Sequence, residues 1–282
     1  MKYLYILICF MIAKFCSRNG GGINGLRFIK NIRTGTIYDS RNKYVFLKDN
    51  EFMRNKNIIS ISPGGYKGIY VLGICNYIKD NFNLENYVFS GASAGAWNSL
   101  MLCYKEDVNK IKTDVLDYSL QNTKSAFDIE NMIKERLLLY TKTEDYDLQK
   151  LFIGTTSLSG FKSNTIVFYD FNNLEDAINC CIASSHIPFV TGGLTNKYKN
   201  TYTFDGGFSK YPYLDIYKPI IHITPSMWKN KKKPSIFTNI HEHTTLFSKH
   251  RFDFMELYQS GYEDAKNNRE YLKYYLGDPE EI

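Results

Sequence analysis

Several common signatures are missing from this chain of 282 residues, and each absence removes a class of function. The six cysteines are Cys9, Cys16, Cys75, Cys103, Cys180 and Cys181, and none has metal-ligand spacing. The last four lie in apolar contexts and read as buried free thiols. No N-x-[ST] acceptor occurs, which removes one sign of a glycosylated secreted protein. The chain has 35 Lys and Arg against 29 Asp and Glu, a net charge of +6. No basic stretch is interleaved with a nucleic-acid motif, so no nucleic-acid partner is expected. The moderate positive balance suits an anionic surface such as phospholipid without requiring one.

A long apolar run is also missing. The N-terminal run from Tyr3 to Ala13 is too short to span a bilayer. It fits the apolar region of a signal peptide, although Ala13-Lys14-Phe15 breaks the small-x-small cleavage pattern. An interfacial anchor is the other reading. Ser17 to Gly25, rich in Gly and Asn, reads as a linker. Residues 1–25 are therefore set apart, and 26–282 are expected to form one domain. Localisation is expected at a membrane, or in the secretory pathway if the leader acts as a signal. The oligomeric state is unknown from the sequence.

What is present is globular. The chain is 44% hydrophobic and 23% charged, enough for one large domain with a sizeable core. Its centre is Tyr87 to Leu100, YVFSGASAGAWNSL. A β-prone run enters Gly91-Ala92-Ser93-Ala94-Gly95, and a helix-prone run leaves it. This is the strand–turn–helix context of a G-x-S-x-G nucleophile elbow. A serine hydroxyl is a weak nucleophile, so it must project from a tight turn towards a base and amide donors. Gly91 and Gly95 remove side chains where the turn is crowded. A small-residue turn without chemistry is the competing reading of the pentapeptide alone.

Upstream, Asn57 to Ser62 reads as a buried strand running into Pro63-Gly64-Gly65-Tyr66-Lys67-Gly68, with a helix over 69–81. Exposed amides in such a glycine turn bind anions, including the oxyanion of an acyl intermediate. The loop fits neither G-x-x-x-x-G-K-[ST] nor G-x-G-x-x-G. Lys67 also reads as a solvated loop lysine. The order strand, glycine loop, helix, strand, serine elbow, helix sets both loops at the carboxyl ends of parallel strands.

Residues 105–150 read as one or two helices, with Ile129, Met132, Ile133, Arg136, Leu137 and Tyr140 on one face. Strands are expected at 151–155 and 165–169, and a helix at 173–185 capped by Asn173. Thr201 to Phe204 reads as a strand delivering Asp205-Gly206-Gly207. Asp205 is a candidate base for Ser93, with Gly206 and Gly207 permitting close backbone approach. A Ser-His-Asp triad through His186 or His222 is the alternative. His241 and His243 have an H-x-H spacing but no evident third metal ligand. Trp228 to Lys233 reads as a basic loop, and Phe252 to Leu276 as one long amphipathic helix.

Taken together, GGYKG (Gly64–Gly68), GASAG (Gly91–Gly95) and DGG (Asp205–Gly207) resemble the patatin-like phospholipase family. ASSHIPFVTGG (Ala183–Gly193) and GYEDAK (Gly261–Lys266) add similarity, and the motif core covers about 57–210. The resemblance implies a three-layer α/β/α fold with a mostly parallel central sheet. It implies hydrolysis of fatty-acyl esters of phospholipids or acylglycerols without a metal or cofactor. Ser93 would be the nucleophile and Asp205 its base, with the oxyanion held by amides of the Gly64, Gly65, Tyr66, Lys67 and Gly68 loop. A lipid substrate and a membrane or lipid-droplet surface would be its partners. Pro63 stands where the family usually has a further glycine, and proline brings no amide donor. A catalytically silent lipid-binding module on the same scaffold is the other reading.

Overall fold

The protein is described by a computed structural model covering residues 36–38, 43–159, 162–209, 213–228 and 253–277. The leader, Lys229 to Lys233 and His241, His243 and His250 lie outside these described residues. In chain order the elements are β1 (Thr36–Tyr38), α1 (Lys43–Asp49), β2 (Asn57–Ile61), α2 (Gly68–Asn81), β3 (Tyr87–Gly91), α3 (Ala94–Leu102), α4 (Asn109–Val115), α5 (Tyr118–Gln121) and α6 (Ala126–Tyr140). They continue with β4 (Leu151–Ser159), β5 (Lys162–Tyr169), α7 (Leu174–Ser184), β6 (Asn196–Tyr198), β7 (Thr201–Thr203), β8 (Ile221–Ile223), α8 (Phe254–Asn267) and α9 (Arg269–Leu276).

Six strands form the central sheet in the order β1-β5-β4-β3-β2-β8. The pairings β8–β2, β2–β3 and β3–β4 are parallel, and β4–β5 and β5–β1 are antiparallel. The connections explain the split. Helices bridge β2 to β3 and β3 to β4, as parallel neighbours require, whereas only two residues separate β4 from β5 in the sequence.

Both faces of the sheet are covered, and the strand period of two sorts its side chains into two cores. Ile59, Phe89, Ile153 and Phe168 belong to the larger core, which they share with residues of α2, α3, α6, α7, α8 and α9. Their chain neighbours Ile58, Val88, Phe152 and Val167 join Phe46 of α1 and Tyr213, Leu214 and Ile216 on the other side. The result is the expected three-layer arrangement.

Helix α8 is seated on α2 by backbone contact. A Cβ placed on Gly73 would strike the Tyr258 carbonyl, and one on Gly261 the Tyr70 carbonyl, so neither position admits a side chain. Asn76 Nδ2 donates to Tyr258 Oη at 2.5 Å and Tyr70 Oη to Asp264 Oδ2 at 2.5 Å beside this crossing. Tyr77 and Tyr262 meet edge to face at 5.3 Å.

Three expectations need correction. The C-terminal amphipathic stretch is two helices, because Asn268, at φ −106° and ψ 29°, interrupts the helical path. Residues 105–150 hold three helices, α4, α5 and α6. On α6, Leu137 is buried, but Tyr140 of the expected buried face is 50% exposed. The strand before Asp205 forms as expected and pairs with β6 in a separate hairpin. It meets the main sheet only through an isolated bridge, Phe204 to Thr156. The Asn173 cap forms as expected, its side chain accepting from the Asp176 amide at 2.9 Å. Among the described residues no helix is long and apolar enough to cross a membrane.

Candidate active site

β3 ends at Gly91, and α3 begins at Ala94, so Ser93 sits at the turn between them. Its backbone lies at φ 54° and ψ −129°, a region that L-residues other than glycine rarely enter. Strain of this kind costs of order 1–3 kcal/mol and persists only where the surroundings enforce it. They do so here. A Cβ on Gly91 would collide with the Gly95 carbonyl, and one on Gly95 with the Ile61 carbonyl. The Ser93 amide donates to Ser184 Oγ at 2.8 Å, and Ser184 Oγ donates onward to the Gly154 carbonyl at 2.6 Å. Turn, α7 and β4 are thereby tied together.

Ser93 occupies the N-cap position of α3, yet its hydroxyl does not cap the helix. Ser93 Oγ instead donates to Asp205 Oδ2 at 2.6 Å. Both residues are buried, at 7% and 5% exposure. Asp205 is anchored on three sides. Its amide donates to the His186 carbonyl at 2.8 Å, Thr156 Oγ1 donates to its carbonyl at 2.8 Å, and the Gly207 amide donates to its Oδ1 at 2.7 Å. A Cβ on Gly206 would strike the Gly154 carbonyl and Ala92. Burial raises the Asp205 carboxyl to about 6, against the hydrogen bonds from Ser93 and Gly207, which lower it.

Neither histidine stands between the pair. His186 contributes its backbone carbonyl to Asp205, while its imidazole packs tilted against Phe204 with centroids 6.1 Å apart. His222 lies on the edge strand β8, in register with Ser60. Burial lowers the pKa of both imidazoles.

The glycine loop forms a short 3-10 turn, Gly65–Lys67, at the start of α2. The Lys67 amide donates to the Gly64 carbonyl at 3.1 Å, and the Gly68 amide to the carbonyls of Gly65 and Tyr66. Those two amides are thus engaged within the turn, and Gly64, Gly65 and Tyr66 carry the donors outside that pattern. The Pro63 ring faces Gly207, 3.3 Å from where a Cβ on that glycine would lie.

Gly65, Tyr66, Gly68, Ser93 and Asp205 share one cavity of about 150 Å³. Its walls are mostly apolar and come largely from α2, α3, α4 and α6. Ala126, Glu130, Ile133 and Leu137 of α6 line it at alternating spacings of four and three, which places them along one helical stripe. Gly64 and Lys67 belong to the loop but not to this wall.

Sequence reading alone overlooked Ser184, Thr156, Trp97, Ser185 and Glu130. The two serines lie inside the ASSHIPFVTGG segment, so that resemblance pointed at them without a role. Glu130 carried its own signal, a carboxylate inside an apolar helical stripe. Among the described residues no group of three or more His, Cys, Asp or Glu is placed to hold a metal.

Residues 59–215 match a family model described as patatin-like phospholipase. The chain is also similar to patatin-like phospholipase domain-containing protein 2 of Bos taurus, at 23% identity over 212 residues. That match covers 71% of this chain and 44% of the bovine protein, so the chain spans about half the length of this relative.

Proposed function

Because the chain belongs to the patatin-like phospholipase family, we propose that it is a serine lipid acyl hydrolase working through an acyl-enzyme on Ser93. The observation that carries this reading is the direct hydrogen bond from Ser93 Oγ to Asp205 Oδ2, 2.6 Å long, at the wall of an apolar cavity. Asp205 takes the hydroxyl proton as Ser93 Oγ attacks the ester carbonyl carbon. The carbonyl oxygen becomes an oxyanion, for which the amides of Gly64, Gly65 and Tyr66 are the donors. Each such donor typically lowers the barrier by about 3–4 kcal/mol. Collapse breaks the ester bond, and the alcohol leaves with the proton from Asp205. Water, deprotonated by Asp205, then releases the fatty acid and restores Ser93. A carboxyl held near 6 by burial suits a base that ionises below neutral pH yet accepts a proton readily.

Phospholipids and acylglycerols both fit this chemistry, and the cavity suits the acyl chain of either. A membrane or lipid-droplet surface is the place where such a substrate is met, and membrane association belongs to the same proposal.

Labelling of the full chain with a fluorophosphonate, read by intact mass, tests the reading. Wild type takes up one label; Ser93→Ala takes up none, and Asp205→Asn labels far more slowly. Folded wild type that resists the probe while binding lipid would favour a silent lipid-binding module instead. Loss of labelling in His186→Ala or His222→Ala, with the fold intact, would favour the triad.

A further inference from the structure

One group in the cavity wall has no place in the mechanism above. Glu130 is a carboxyl on the apolar stripe of α6, only 8% exposed, and its Oε2 has no hydrogen-bond partner among the described residues. Buried acceptors without partners are rare in folded proteins and costly to keep.

Ser185 is a polar neighbour of Glu130. Ser185 Oγ donates its proton to the Cys181 carbonyl at 3.0 Å and accepts from Trp97 Nε1 at 3.1 Å. A hydroxyl has one donor and two acceptor sites, so one acceptor site remains. Glu130 is a hydrogen-bond neighbour of this hydroxyl. Burial raises the Glu130 carboxyl well above the usual range and the nearby Asp205 charge adds to this, against a hydrogen bond with Ser185 that lowers it. Glu130 Oε2 is an unpartnered acceptor on a cavity wall that also carries Ile129, Ile133 and Leu137.

We propose that Glu130 is a specificity-determining residue that accepts a hydrogen bond from a hydroxyl carried along the acyl chain of the substrate. The inference rests on the ester-hydrolase reading for the placement of an acyl chain in this cavity. An all-hydrocarbon chain would seal the acceptor away from water without a partner. A chain with a hydroxyl at the right carbon would satisfy it. Sites holding a buried polar group discriminate by what they leave unpaired, more strongly than by shape. The hydroxyl is assigned to the acyl chain, not to the glycerol, because the stripe bearing Glu130 continues through Ala126, Ile133 and Leu137.

The test uses full-length Ser93→Ala, which binds without turnover, and fatty acids of one length bearing a hydroxyl at successive positions. Titration calorimetry should find one position that binds roughly five- to a hundredfold tighter than the unsubstituted acid. Adding Glu130→Leu should abolish that preference and tighten binding of the unsubstituted acid, while Glu130→Gln should keep part of the preference. A flat profile, or one unmoved by Glu130→Leu, overturns the proposal. So does a Glu130-dependent preference for a monoacylglycerol over the methyl ester of the same plain chain, which would move the hydroxyl to the leaving alcohol. Hydrolysis of plain esters by wild type separates the two readings. Hydrolysis without a hydroxyl preference sinks the role of Glu130 alone, and a preference without any hydrolysis sinks the ester-hydrolase reading alone.

Discussion

Ser93 and Asp205 meet at 2.6 Å, but they are held there in opposite ways. Ser93 is held by its own backbone, at φ 54° in a turn whose neighbours are all glycine or alanine. Asp205 has a backbone of ordinary sign, φ −47° and ψ 126°, and is fixed by the His186 carbonyl, Thr156 and Gly207. Ser93 therefore stores conformational strain, and Asp205 stores desolvation. The two costs lie in different physical terms, so different substitutions should release them.

The largest expected effect is on turnover, where the two residues should behave alike. Ser93→Ala and Asp205→Asn should each lower ester hydrolysis by roughly four orders of magnitude or more, with unchanged circular dichroism. The double variant should be scarcely worse than either, since residues acting as one unit are not additive. Losses that multiply in the double variant would break the pair into independent contributors. In wild type, kcat/KM should rise with pH through about 6, the value to which burial brings Asp205.

Next comes stability, where the two should part. The native state binds the Asp205 proton more tightly than the unfolded chain, because burial raises the carboxyl from 3.8 to about 6. This favours folding fully below the lower value and is lost as pH rises through the upper one. At neutral pH the ionised carboxyl thus costs about 3 kcal/mol, and Asp205→Asn should recover most of it. Urea unfolding should show the gain at neutral pH and little of it near pH 4. A gain equal at both would mean that packing, not ionisation, is what the substitution relieves.

Ser184→Ala should have a smaller effect, of about 1–3 kcal/mol, because it leaves the Ser93 amide without its acceptor. That strikes the strained member of the pair through its backbone, so kcat should fall about ten- to hundredfold with KM little changed. A change confined to KM would show that Ser184 shapes the cavity instead of the turn.

The same contrast explains what could be read from the sequence. The elbow was legible because its determinants are contiguous: strand, two glycines, two alanines and a helix within Tyr87 to Leu102. Asp205 was legible as a residue but not in its setting. Its anchors come from β4 and from the segment after α7, and a Thr or a backbone carbonyl leaves no local mark of such a role. The sheet was legible strand by strand, since Ile58–Ile59 and Phe152–Ile153 have the continuous apolar character of strands buried on both faces. That β7 would pair with β6 outside the sheet was not, because pairing partners are set by tertiary context. The break at Asn268 was hidden by apolar spacing that continues from Tyr258 to Leu272 across it. Glu130 escaped notice because its stripe was read as packing, and only the cavity shows that part of that stripe faces empty space.

The smallest effect isolates strain itself. Ser93→Ala and Ser93→Gly both remove the hydroxyl, so neither should turn over substrate, and both lose the same hydrogen bond to Asp205. They differ in the backbone alone. Alanine retains a Cβ at φ 54°, whereas glycine enters this region freely. The strain released is of order 1–3 kcal/mol. Against it stands the greater freedom of glycine in the unfolded chain, about 0.4–1 kcal/mol. Ser93→Gly should therefore be the more stable of the two by about 1 kcal/mol, a shift of roughly 2–4 °C in Tm. If Ser93→Ala proves equal or more stable, the turn accepts a side chain without strain, and the contrast between Ser93 and Asp205 reduces to the desolvation of Asp205.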